Sequence, residues 1–199
     1  MIMVQQIVEL ECPGCGKSIT TSTQQCPQCF REIVISTFNS VSGMSPLEIN
    51  KQASAYRKAM VNDPNNQTLN MSIAFCYLKL KLYDKAIPCF EKAIEDNFDN
   101  SETYFYAAIA LLKGKKAFLT PRTVIDQIEQ YIQAAIMIEP KGIYYYFWSY
   151  IRYDHHFRKS YVMNPNYQEL LMQARQIGLS QTDVFELYKI LDVDRPSVL

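Results

Sequence analysis

Four cysteines near the start of the sequence restrict its fold more than any other feature. They form two Cys-Pro-x-Cys turns, Cys12 to Cys15 and Cys26 to Cys29, with ten residues between the turns. Two residues between cysteines let a turn direct both sulfur atoms at one ion, and two such turns supply the four thiolates that suit tetrahedral zinc. Two disulfides, or four unrelated thiols, are the alternatives for these residues. The spacing predicts one structural Zn²⁺ held by Cys12, Cys15, Cys26 and Cys29, because four thiolates leave no open position for water or a substrate.

The residues around the cysteine turns alternate between apolar and polar in the way that β-strands do. Strands are predicted at Val4–Leu10, Ser18–Ser22 and Glu32–Phe38. Together with the turns, this pattern resembles a zinc ribbon, which we assign to residues 1–40. The resemblance implies a small β module that folds around its metal, because so short a segment cannot bury a sufficient core of its own.

The charge of this N-terminal segment argues against a nucleic-acid interface. Residues 1–40 contain two basic residues, Lys17 and Arg31, and three acidic residues, while the whole chain has 20 of each sign. A phosphate-binding surface needs several Lys or Arg side chains on one face. We therefore expect the segment to bind a protein or to cover the neighbouring helices, and we expect nucleic acid to bind weakly.

Helical periodicity with an internal repeat follows a polar Ser/Gly/Pro linker at residues 41–46. The clearest copy lies between Gln67 and Asn100. Its matching positions are Asn70, Ile73, Ala74 and Tyr77 in the first helix, Ala86, Phe90 and Ala93 in the second, and a break at Phe98. This spacing resembles the tetratricopeptide repeat (TPR), although Asn70 stands where the family has an aromatic residue and Phe98 where it has proline.

Neighbouring segments repeat this pattern in register. The matching residues are Gln52, Tyr56, Ala59 and Pro64 before it, and Tyr104, Ala107, Ala108, Leu111, Ile128, Ile132, Ala135 and Pro140 after it. The last four are displaced along the sequence, which predicts an insertion from Lys113 to Arg122. TPR-like repeats are assigned to residues 47–140, and a C-terminal helical repeat or cap to residues 141–199. The predicted fold is mainly α: a TPR-like α-solenoid of antiparallel helix pairs, preceded by the small β zinc ribbon.

The TPR resemblance implies a partner-binding groove lined by the first helix of each pair. The residues that this register places in the groove are Met71, Phe75, Leu78, Lys79, Phe105, Tyr106, Ile109 and Lys113. Such a mostly apolar groove suits a helix or a hydrophobic segment of a partner protein. The alternative is that these side chains pack between the repeats.

Two further segments invite a functional interpretation. Ile143–Tyr161 is rich in aromatic residues and continues the repeat register, so we expect it to pack in the core, with stacking of nucleobases as the alternative. It contains the only two histidines, and Asp154 is not predicted to orient them, because adjacent helical residues do not face each other. Ala174–Val184 has helix–turn–helix spacing, with Ser180 as the predicted cap, but acidic residues outnumber basic ones around it.

The sequence therefore predicts a non-catalytic adaptor or scaffold that binds protein partners. The alternative function is a nucleic-acid-binding regulator that uses the ribbon or the C-terminal hairpin. The first ten residues lack the basic start and apolar centre of a targeting signal. The longest apolar run, Ile143–Ile151, is far shorter than the roughly 20 residues that span a bilayer. We expect a cytoplasmic protein that does not insert into membranes.

Overall fold

The computed structural model describes residues 7–95 and 99–199, which fall into two compact units that divide between residues 97 and 98. The chain is mainly helical, with one small antiparallel sheet. In the described part of the chain, no helix is both long and apolar enough to cross a membrane. The domain boundaries predicted at residues 40, 46 and 140 stay predictions.

The sheet of the first unit consists of strands β1 (Glu9–Glu11) and β2 (Ser18–Thr20). They are antiparallel, with Leu10 opposite Ile19, and these two side chains are buried while their neighbours along the strands are more exposed. The predicted strand at Ser18–Ser22 is therefore present over Ser18–Thr20. Of the predicted strand at Val4–Leu10, residues 4–6 lie outside the described part of the chain, and among residues 7–10 the strand includes Glu9 and Leu10.

The third predicted strand, Glu32–Phe38, is wrong. Only Glu32 makes an isolated bridge, to Gln25. Beyond it, the backbone is bound by side chains of the following helices: Tyr56 donates its hydroxyl to the Ile33 carbonyl at 2.9 Å, and the backbone of Ile35 bonds to a helical serine. Helical side chains thus satisfy backbone groups that would otherwise need a neighbouring strand.

Helices of the first unit begin and end at sequence signals. They are α1 (Asn39–Ser42), α2 (Pro46–Met60), α3 (Gln67–Lys79) and α4 (Tyr83–Glu95). Ser45 and Glu48 form a reciprocal capping box at the start of α2, and Asn66 caps α3. Helix α3 packs against both α2 and α4, which buries Tyr56, Ala74 and Phe90. The break predicted at Phe98 lies outside the described residues.

The second unit contains α5 (Ser101–Leu111), α6 (Arg122–Ile138), α7 (Gly142–Ile151), α8 (Tyr167–Ile177) and α9 (Gln181–Leu191). Helix α5 pairs with α6, α7 pairs with α8, and α9 packs on α5 and α7. The predicted insertion is the loop that leads into α6, and it contains a 3₁₀ turn at Ala117–Leu119. A π-helical turn, Arg152–His156, continues α7 and is followed by a 3₁₀ turn, Phe157–Lys159.

The aromatic-rich segment Ile143–Tyr161 and the segment Ala174–Val184 both form helices and turns of the second unit. Tyr144, Tyr146, Phe147 and Tyr150 of α7 are buried, as core packing predicts. Helix α8 ends at Gly178, whose φ of 107° suits a left-handed cap, and the Ser180 side chain caps α9 by accepting from the Thr182 amide. Two helices joined by a short turn are therefore present where the sequence predicted a helical hairpin, and α9 packs on α5 and α7.

Candidate metal centre and partner-binding surface

The four cysteines of the two Cys-Pro-x-Cys turns meet in one cluster. Their sulfur atoms all lie within 4.8 Å of one another, with Cys12 Sγ 3.5 Å from Cys29 Sγ and Cys15 Sγ 3.6 Å from Cys26 Sγ. Zinc with four sulfurs at about 2.3 Å in a tetrahedron requires sulfur–sulfur separations of about 3.8 Å. The cluster therefore has the donor set and the dimensions of a four-thiolate metal site, and all four residues are free of disulfides.

Both turns have the same backbone hydrogen bonds. The carbonyls of Cys12 and Cys26 accept from the amides of Gly16 and Phe30, at 2.9 and 2.8 Å. Gly16 and Phe30 both have positive φ, 75° and 58°. The left-handed conformation costs a glycine little and a phenylalanine more. The second turn is thus the strained one, although the two place their sulfurs alike.

The first turn also approaches the second closely enough to require a glycine. A Cβ atom at Gly14 would lie 2.9 Å from Cys29 Sγ and 3.0 Å from Arg31 Nε. The Gly14 amide points at Cys12 Sγ, 3.4 Å away. Backbone amides of Cys29 and Gln28 donate to the Cys26 sulfur and lower the pKa of its thiol to about 6. Peptide dipoles therefore favour the thiolate form of Cys26, the form that a metal ion binds. At Cys15 and Cys29, a backbone hydrogen bond is outweighed by desolvation and by the neighbouring sulfur atoms, which raise the pKa of the thiol.

Ion pairs link the cysteine-bearing segment to helix α2. Arg31 Nη2 lies 3.2 Å from Glu48 Oε1, and Lys58 Nζ lies 3.4 Å from Glu11 Oε2. Exposed pairs of this kind contribute little to stability, because solvent screens them. Ile33, Ile35 and Phe38, which follow the second cysteine turn, are buried apolar side chains, and burial of such side chains stabilises more than an exposed ion pair does.

The two remaining cysteines do not belong to the cluster. Cys76 is buried within α3, and burial raises the pKa of its thiol to about 12. Cys89 is half-buried in α4, where desolvation raises the pKa of its thiol to about 11. Both are protonated at neutral pH and pack as small apolar side chains, as predicted.

The structure places the eight predicted groove residues in different environments. Phe75, Leu78, Phe105 and Ile109 are buried, Met71, Lys79 and Tyr106 are half-buried, and Lys113 is exposed. The expectation that the first four face an open groove is therefore wrong. Whether the accessible four contact a partner stays a prediction.

Each buried phenylalanine is covered by elements of its own unit. Phe75 packs edge-to-face on Phe90 of α4, with ring centroids 5.5 Å apart. Phe105 packs on Tyr144 and Phe147 of α7, at 4.6 and 5.7 Å. In addition, residues 33–38 bind α3, and α9 packs on α5. The face that a TPR-like register assigns to a partner is occupied in each unit by the chain itself.

The sequence did not predict a buried polar cluster between α6 and the π-helical turn. The Glu129 carboxylate lies 3.0 Å from Arg152 Nε and 3.1 Å from His156 Nε2, and all three residues are buried. Asp154 instead accepts from the Phe118 amide at 2.8 Å and pairs with Arg158. It therefore does not orient either histidine. One feature of the sequence could have indicated this cluster. Glu129 is an acidic residue that directly follows Ile128, among the buried apolar residues of α6.

Comparison with known proteins bears on the fold alone. No known protein family and no curated protein matches the sequence. Two solved structures, described as "MamA MSR-1 C2" and "MamA AMB-1 P212121", are similar to the chain at 16% identity. The first alignment covers 65% of this chain and 67% of that one, with a TM-score of 0.49. The second covers 74% of each chain, with a TM-score of 0.50. MamA is a TPR-like helical protein, and the TPR-like fold predicted for this chain is thereby confirmed.

Proposed function

We propose that this chain is a non-catalytic protein-interaction scaffold whose N-terminal segment is a zinc ribbon stabilised by one structural Zn²⁺. The observation that carries the proposal is the closed cluster of four sulfur atoms beside a TPR-like helical fold. Four thiolates fill a tetrahedral zinc ion, so the metal would supply folding energy and no Lewis-acid chemistry. TPR-like helices present surfaces for other proteins.

The metal would hold the two cysteine turns together. The sheet contributes three residues per strand, and its buried side chains include Leu10 and Ile19. A segment with so little apolar surface depends on its metal for order. Cys12, Cys15, Cys26 and Cys29 would bind the ion, and Gly14 allows the two turns to meet around it.

The partner surface would use side chains that the chain leaves accessible. On the first unit these are Met71 and Lys79, and on the second they are Tyr106 and Lys113. Lys79 also donates to the Ser42 carbonyl at 2.6 Å, so its ammonium group is partly held in place. The half-buried positions suit contact with an apolar segment of a partner that adds to the existing packing.

The proposal is tested by quantitative capture of partners from the native cell with the tagged, zinc-loaded chain. One variant changes the second unit, Tyr106→Ala with Lys113→Glu, and a second changes the first, Met71→Glu with Lys79→Glu. A matched control carries Phe185→Ala, since Phe185 is 68% exposed on α9. A stoichiometric protein partner that is lost with one variant and retained by the control supports the scaffold. Recovery of nucleic acid, with protein capture abolished by nuclease, would favour the regulator instead.

A further inference from the structure

The loop inserted between α5 and α6 packs against the turns that follow α7. Its 3₁₀ turn is fixed there by two hydrogen bonds: the Phe118 amide donates to the Asp154 carboxylate at 2.8 Å, and the Ala117 amide to the Tyr150 hydroxyl at 3.3 Å. Residues 113–122 contain four basic residues and no acidic one. The fold therefore brings this basic loop onto the turn that carries Arg158 and Lys159.

The loop and the turn after α7 meet at the Phe118 ring, over which two cationic side chains lie. The Arg158 guanidinium carbon lies 4.5 Å from the centroid of the Phe118 ring, and Lys159 Nζ lies 5.1 Å from it. Such cation–π contacts hold both positive groups near one place. We define the basic–aromatic surface by its members: Lys115, Lys116, Phe118, Leu119, Arg158 and Lys159.

Most of the positive charge of this surface is uncompensated. Asp154 is 3% exposed and bonded to Phe118 and Arg158, so it neutralises Arg158 alone. Across residues 7–95 and 99–199, no carboxylate lies within ion-pair distance of Lys115, Lys116 or Lys159. The chain as a whole has zero net charge. An excess of positive charge at one place of a neutral protein attracts an acidic partner.

The surface also has an apolar element. Leu119 is 68% exposed at the end of the 3₁₀ turn, directly after Phe118. A side chain of this size at the rim of a charged surface can contact an apolar residue of a bound segment. Charge and apolar contact together suit a peptide better than they suit a sugar–phosphate backbone.

We propose that the basic–aromatic surface binds an acidic, extended peptide segment of a partner protein, one that carries an apolar residue among its carboxylates. Binding of single-stranded nucleic acid depends on aromatic rings that stack on the bases. The Phe118 ring is poorly placed for such stacking, because Arg158 and Lys159 already lie over it. The site lies within the second unit and needs neither the cysteine cluster nor the predicted groove. It is therefore independent of the proposed zinc site.

Fluorescence anisotropy with the full-length, zinc-loaded chain tests the proposal. The probe is a labelled peptide of about twelve residues, Asp and Glu with one central Leu, and the competitor is an oligothymidylate of equal length. We expect the peptide to bind at low salt and to dissociate as salt rises, because exposed charges are screened. Tighter binding of the oligothymidylate, or no binding of the peptide at low salt, would overturn the proposal.

Two sets of variants separate this surface from general electrostatics. Lys116→Glu with Lys159→Glu should weaken peptide binding by about tenfold or more. The control, Lys51→Glu with Lys92→Glu, makes the same change in net charge at exposed positions of the first unit and should weaken it by less than about twofold. Leu119→Ser leaves the charge unchanged and should weaken binding of the Leu peptide but not of a peptide with Ser in its place. Equal losses in the two charge variants would contradict the site.

Discussion

The hydroxyl of Ser72 on α3 bonds to both backbone groups of Ile35. It accepts from the Ile35 amide at 3.1 Å and donates to the Ile35 carbonyl at 3.2 Å, and both residues are fully buried. The Ser72 side chain thus makes the two hydrogen bonds with the Ile35 backbone that a neighbouring strand would make in a sheet. This bridge fixes the segment that follows the second cysteine turn against the helices of the first unit.

Removing the Ser72 hydroxyl should therefore destabilise the first unit. In Ser72→Ala, a buried amide and a buried carbonyl lose their partner, which costs about 1–3 kcal/mol. Chemical denaturation monitored by circular dichroism measures the loss. Ser149→Ala is the control, because Ser149 is also buried and its hydroxyl has no hydrogen-bond partner among the described residues. Equal stability of the two variants would show that the bridge contributes nothing.

Phe75 and Phe105 should behave as core residues and not as contact residues. Phe75→Ala or Phe105→Ala removes a buried ring, which typically costs about 3–5 kcal/mol, so each melting temperature should fall strongly. Phe185→Ala removes a ring that is 68% exposed and should change the melting temperature little. Differential scanning calorimetry on the three variants provides the test. A small effect at Phe75 and Phe105 would restore the groove that the sequence predicted.

The sequence predicted features that depend on local spacing. Two residues between cysteines, a glycine at Gly178 and a serine at Ser180 act on neighbouring backbone, so their structural consequences can be read from a short window. The repeat helices were predictable for a related reason, since the same spacing recurs along the chain. The meeting of the four sulfurs was predicted because two turns of this spacing supply the four ligands of one metal ion.

The incorrect predictions concern contacts between residues distant in sequence. Glu32–Phe38 has the alternation of a strand, but Tyr56 and Ser72 supply its hydrogen bonds from helices. Phe105 has the position of a groove residue, but Tyr144 lies over it. The spacing of apolar residues shows which side of a helix or strand is apolar. It does not show which other residues of the chain pack against that side. The buried cluster around Glu129 was missed for the same reason.

Acid should destabilise the second unit through His155. Burial, together with the neighbouring Lys159, His156 and Arg122, lowers the pKa of His155 to about 4 from 6.5, while Glu129 opposes the shift. The unfolded chain therefore takes up the proton first as the pH falls below about 6.5. The stability that neutral His155 contributes is complete above that pH and declines towards pH 4.

Thermal unfolding at about pH 7.5 and about pH 5 measures this effect. The wild-type protein should lose more stability between the two conditions than His155→Gln, whose side chain does not titrate. Both proteins must carry the same metal content, because acid also protonates metal-binding thiols. An identical pH dependence in the two proteins would show that His155 is accessible to protons in the folded state.

Loss of one cysteine of the cluster should release the metal. Cys12→Ser should leave three thiolates, lower the bound zinc well below one equivalent and lower the melting temperature of the first unit. Cys89→Ser should keep its zinc, because Cys89 lies in α4 and outside the cluster. Elemental analysis after exhaustive dialysis compares the two. Zinc retained by Cys12→Ser at the wild-type level would mean that other residues bind it.

X-ray absorption at the zinc edge tests the proposed metal centre most directly. The purified chain should contain one zinc ion with four sulfur ligands at about 2.3 Å and no nitrogen or oxygen ligand. That result would match the cluster of Cys12, Cys15, Cys26 and Cys29, whose sulfurs all lie within 4.8 Å of one another. A metal-free protein with the four cysteines in disulfides, or a zinc ion with an oxygen ligand from water, would contradict a closed structural site.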